Sequence, residues 1–93
     1  MSIIMSTQLQ EEVLLEEQLT DTHDLVVYND EVNSFDHVIE TLMSICEHSP
    51  EQAEQCTWII HHNGKCAVKN GEFEFLKELR TLICAKGISA EVL

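Results

Sequence analysis

The chain's only proline, Pro50, sits in the run Ser49-Pro50-Glu51-Gln52, which fixes a helix start more firmly than any other stretch of the sequence. Ser49 supplies an N-cap hydroxyl. Pro50 fits the first helical turn, where its missing N–H has no partner to lose, and Gln52 holds the reciprocal capping-box position. Ala53, Cys56, Thr57 and Ile60 then recur on one face, and Gly64 fits the left-handed stop after a helix.

With that helix placed, its neighbours read in order. Residues 25–28 are apolar or aromatic with two valines, which predicts a strand. Asn29 and Asp30 end it as turn formers. Asn33 or Ser34 can cap a further helix, whose apolar stripe is Phe35, Val38, Ile39, Leu42, Ile45 and Cys46. Beyond Gly64, residues 65–68 read as a short strand and Asn70-Gly71 as a turn. Residues 72–86 read as a third helix, with Phe73, Leu76, Leu79, Leu82 and Ile83 inward and Gly87 as its stop. Ile88, Ala90 and Val92 alternate as a last strand.

The resulting order is βααβαβ. One sheet with helices packed on one face would bury every stripe, so the expected fold class is α+β: a two-layer sandwich of a three-stranded antiparallel sheet and three helices. Residues 24–93 form this domain. Residues 1–23 are polar and acidic, with too little apolar surface in Val13, Leu14, Leu15 and Leu19 to hold a helix, and are expected to be a flexible N-terminal extension.

Charge narrows the function. All five basic residues fall after position 64, whereas residues 1–64 carry thirteen Asp and Glu and no Lys or Arg. Such a surface repels a phosphate backbone and suits a cationic partner, so no nucleic acid is expected to bind. Neither a long apolar run nor a basic, apolar leader is evident, so a cytoplasmic protein with no membrane association is expected. Cys46, Cys56, Cys66 and Cys84 make no C-x-x-C pair, which leaves reduced thiols as the expectation, with no metal and no cofactor.

Three features could carry chemistry: the acidic turn Asn29-Asp30-Glu31, the pair His61-His62, and the apolar set Phe35, Val38, Thr57, Ile60 and Ile88. Taken singly, each has a structural explanation as turn former, helix-end residue or core.

Three segments give them a common reading. "VVYNDEVNSFDHVIETL" resembles the signature of the ClpS family, adaptors of ATP-dependent Clp proteases, whose usual form is an apolar strand followed by Asn-Asp-Asp-x-Thr-Pro-Met-x-x-Val. "AEQCTWIIHHNGKCAV" is similar to the family's helix ending in His, and "GISAEVL" resembles its last strand. The resemblance implies a non-enzymatic adaptor. It would bind substrates through a free N-terminal Leu, Phe, Tyr or Trp and deliver them to a ClpA- or ClpC-type AAA+ unfoldase. It places the contacts to the substrate α-amino group on Asn29, Asp30, Glu31 and His61, and the hydrophobic pocket on Asn33, Phe35, Val38, Thr57, Ile60 and Ile88. Residues 1–23 stand where the family has an extension that engages the unfoldase.

The departures bear on selectivity. Glu31 replaces an Asp, Asn33-Ser34 replaces Thr-Pro, and Phe35 and Thr57 stand where methionines are common. A different or narrower residue preference is expected, since methionine adapts its shape and phenylalanine does not. Two other classes compete. A binding module of ribosomal-stalk C-terminal type has a similar fold without N-terminal recognition. An enzyme pairing His61 with Asp30 or Glu31 lacks a Ser or Cys nucleophile in either motif.

Overall fold

The computed structural model describes residues 22–93. The expected N-terminal extension therefore lies, for residues 1–21, outside the described part.

The chain runs β1 (Thr22–Tyr28), α1 (Phe35–Ile45), α2 (Pro50–Asn63), β2 (Lys65–Glu72), α3 (Phe73–Ala85) and β3 (Ala90–Val92). The order matches the sequence reading. Local chemistry sets the helix ends. Ser34 and Ser49 are N-caps, their hydroxyl oxygens accepting from the backbone N–H of His37 and Gln52, both at 3.1 Å. Gly64 closes α2 at φ 94°, a left-handed conformation open to glycine without steric cost.

β1 lies at the centre of an antiparallel sheet in the order β2-β1-β3. Leu25 and Val27 share one face and join the helices' buried residues Val38, Leu42, Ala53, Ile60, Leu76 and Ile83 in the core. The β1–β2 register slips between Leu25, paired with Lys69, and Val26, paired with Ala67, so Val68 is the extra residue of a bulge. Its carbonyl instead accepts from His48 Nε2 at 2.7 Å, fixing the α1–α2 turn to the sheet.

Three expectations need correction. β1 begins at Thr22, so Thr22 and His23 belong to the sheet. β2 runs on to Glu72, because Asp24 and His23 pair with Asn70 and Gly71, which the sequence reading placed in a turn. Phe73 and Leu82 are exposed rather than inward. The buried stripe of α3 is Leu76, Leu79 and Ile83, and Leu82 lies about 100° around the helix from Ile83. Phe73 instead meets His23 edge-on, ring centroids 5.5 Å apart.

Candidate functional site

The connection between β1 and α1, residues 29–34, is held by contacts at both ends. At its start, the Asn29 N–H donates to the Gly64 carbonyl at 2.8 Å, and the Gly64 N–H donates to Ile60 at 2.9 Å. Asn29 is thereby fixed against the last turn of α2, the turn that carries His61. At the far end, His37 Nε2–H donates to the Lys86 carbonyl at 2.9 Å, tying α1 to the turn after α3.

Inside the loop, Asp30 organises the backbone. Its Oδ1 accepts from the N–H groups of Val32 (2.9 Å) and Asn33 (2.8 Å), and its Oδ2 accepts from Asn33 Nδ2 at 2.7 Å. Asn33 Nδ2 also donates to the Gly87 carbonyl at 2.9 Å. Asn33 is thus a bridge between the acidic loop and the turn that leads to Ile88. The Asn33 backbone N–H holds the Asp30 carboxyl below its ordinary value. Partial burial opposes this, and the Asn33 side chain, the Val32 N–H and the nearby His37 add to it.

Asn29, Glu31 and His61 have no such ties. All three are exposed, and among the described residues their side chains have no hydrogen-bond partner. The ring of His61 meets Phe35 edge-on, centroids 6.4 Å apart at 81°, so α2's end and α1's start face each other here.

The structure brings Asn29 and His61 to one region and places Phe35 against His61. It engages Asp30's carboxylate oxygens within the loop, unlike those of Glu31. Four of the expected pocket walls lie in the interior. Val38, Ile60 and Ile88 are buried in the core, and Thr57 is equally buried. These four side chains are covered, whereas Phe35 is 37% exposed. Phe35 stands one turn before Val38 on α1. The Thr57 hydroxyl donates to the Ala53 carbonyl at 2.7 Å, so its polarity is spent within α2.

Two features escaped the sequence reading. One is the bridging role of Asn33, which was assigned to the pocket. The other is the stacking of Trp58 on His62, centroids 3.6 Å apart, which their i, i+4 spacing on α2 could have indicated. No group of three or more His, Cys, Asp or Glu among the described residues is placed to hold a metal ion. No described helix is long and apolar enough to cross a membrane.

The sequence profile of the family described as ATP-dependent Clp protease adaptor protein ClpS matches residues 18–90. The chain belongs to the ClpS family. A ClpS adapter protein of Campylobacter jejuni subsp. doylei is 33% identical over 85 residues, covering 89% of this chain and 86% of the relative. That of Campylobacter jejuni subsp. jejuni is 36% identical over 64 residues, covering 67% of each. Among solved structures, Agrobacterium tumefaciens ClpS2 bound to L-phenylalaninamide superposes with a TM-score of 0.69 at 16% identity, over 78% of this chain and 95% of that one. It shares the ClpS fold: three helices on a three-stranded antiparallel sheet. Membership decides between the adaptor and stalk-domain readings. ClpS proteins are adaptors of the Clp protease rather than proteases themselves.

Proposed function

We propose that this chain binds the free α-amino group and bulky hydrophobic first residue of a substrate protein and delivers it, in the cytoplasm, to a ClpA- or ClpC-type AAA+ unfoldase. The observation that carries the reading is the set of unspent acceptors on Asn29, Glu31 and His61, with Asn29 fixed to the end of His61's helix. A protein N-terminus is a compact ammonium ion with three N–H donors. An amide oxygen, a carboxylate and a neutral imidazole nitrogen match it, and bonds to a charged donor are the stronger kind.

Asp30 serves the same end differently. Its oxygens shape the loop through Val32 and Asn33, while its negative charge favours the approaching cation. Asn33 transmits that shape to Gly87 and so to Ile88. The first side chain of the substrate is accommodated when Phe35 rotates away from Val38, uncovering apolar surface shared with Thr57, Ile60 and Ile88. Burying a Phe, Tyr or Trp there removes roughly 150–250 Å² from water. That is an upper gain of about 4–6 kcal/mol at roughly 25 cal/mol/Å², of which association entropy removes much. The bound L-phenylalaninamide of the ClpS2 neighbour supports the reading, since that ligand carries both a free α-amino group and a phenyl ring. Residues 1–21 are assigned to unfoldase engagement.

Fluorescence anisotropy with a labelled Phe-initiated peptide and its N-acetylated copy tests the reading. Acetylation removes the charge and two donors and leaves acceptors unpaired, so the copy should bind at least about a hundredfold more weakly. Equal affinity for the two peptides would overturn it.

A further inference from the structure

A continuous series of rings leads away from the proposed ammonium site. Phe35 meets His61 at 6.4 Å, His61 meets His62 at 5.2 Å, and His62 lies against Trp58 at 3.6 Å and 31°. Trp58 is the chain's only tryptophan and is 55% exposed. It lies on the side of α2 away from the buried Ala53, Thr57 and Ile60. Beside it, a groove of about 340 Å³ is lined by Glu51, Glu54, Gln55, Trp58 and Ile59. The groove combines an indole face with two carboxylates, and α2 carries no Lys or Arg.

We propose that this groove is a second subsite for the substrate chain, taking an Arg or Lys a few residues behind the free N-terminus. The inference rests on the N-terminal binding reading and deepens it. An indole face flanked by carboxylates selects a cation with an aliphatic stem, because the stem covers the ring and the charge meets both the π-face and the acids. Reach is adequate. Gln55 lies six positions before His61, about 9 Å of helix axis at 1.5 Å per residue. An extended peptide spans that in about three residues, which places positions three to five of the substrate over the groove. The acidic side chains also disfavour substrates carrying Asp or Glu at those positions.

The test uses the full chain and three labelled probes: a Phe-initiated decapeptide with Arg at positions three to five, the same peptide with Glu there, and Phe-Leu dipeptide amide. The Arg peptide should bind about three- to fivefold more tightly than the dipeptide, and the Glu peptide more weakly than both. Trp58→Ala and the pair Glu51→Gln, Glu54→Gln should each abolish the Arg preference while leaving the dipeptide's affinity unchanged. Trp58 emission should shift with the Arg peptide and not with the dipeptide.

If all three probes bind equally to every variant, the groove proposal falls and the N-terminal reading survives. If no Phe-initiated probe binds, both fall. Concentration-dependent dimerisation that Trp58→Ala removes would also overturn it, by giving the groove to a second copy of the chain.

Discussion

Replacing Asn33 by alanine probes the joint between the acidic loop and the turn before Ile88. The substitution removes two hydrogen bonds, Nδ2 to Asp30 Oδ2 at 2.7 Å and Nδ2 to the Gly87 carbonyl at 2.9 Å. The first is charge-assisted and the second neutral, and Asn33 is half-buried, so both belong at the low end of their ranges. Together they contribute about 1–2 kcal/mol. For a domain of this size that lowers Tm by roughly 5–15 °C. Asn33→Asp should cost more, because it removes the same donors and sets a second carboxylate against Asp30. Urea titrations followed by circular dichroism, with the slope unchanged between variants, measure both values. An Asn33→Ala protein within about 0.3 kcal/mol of the parent, or an Asn33→Asp protein more stable than Asn33→Ala, would refute the reasoning.

Three further outcomes are expected. Gly64 lies at φ 94° with open space where a Cβ would stand, so Gly64→Ala should cost about 1 kcal/mol from backbone conformation alone, measured by the same titration; a neutral result would contradict the left-handed cap. The Asp30 carboxyl is held below its ordinary value, first by the Asn33 N–H. Its contribution is therefore complete above the unfolded value near pH 4 and is lost as pH falls through the lower folded value, so the stability gap between the parent and Asp30→Asn should narrow below about pH 4. A gap independent of pH would count against it. Finally, burial pushes the thiols of Cys46 and Cys56 up to about 11, whereas Cys84 is exposed. Iodoacetamide near pH 8, followed by peptide mass spectrometry, should modify Cys84 first and Cys46 last, and early loss of Cys46 would place it outside the core.

Much of the fold was legible because the signals were local. Ser34, Ser49 and Gly64 act within one helical turn, and the apolar stripes of α1 and α2 follow a single period. What the sequence concealed depends on partners distant in the chain. Asn70-Gly71 has turn chemistry, yet it sits in a strand because Asp24 and His23 supply the pairing. The exposure of Leu82 follows from which side of α3 the sheet covers.

The candidate site divides the same way. The types Asn29, Glu31 and His61 were readable from the motifs, and the Asp30 bonds to Val32 and Asn33 follow a short-range Asx pattern. The link from Asn33 to Gly87 spans most of the domain and has no signature within any one of the three segments. Nor does the burial of Val38 and Ile60, since helical spacing alone does not separate a core residue from a pocket wall.

The claim that Asn29 and His61 grip one ammonium group is tested most directly by a double-mutant cycle. The affinity of a single Phe-initiated peptide is measured on the parent, Asn29→Ala, His61→Ala and the double variant. Each single change should weaken binding by about tenfold or more, and the double variant should lose less than the sum of the two free energies, because the groups hold the same cation. Retained affinity in both single variants would show that the substrate's amino group is held elsewhere.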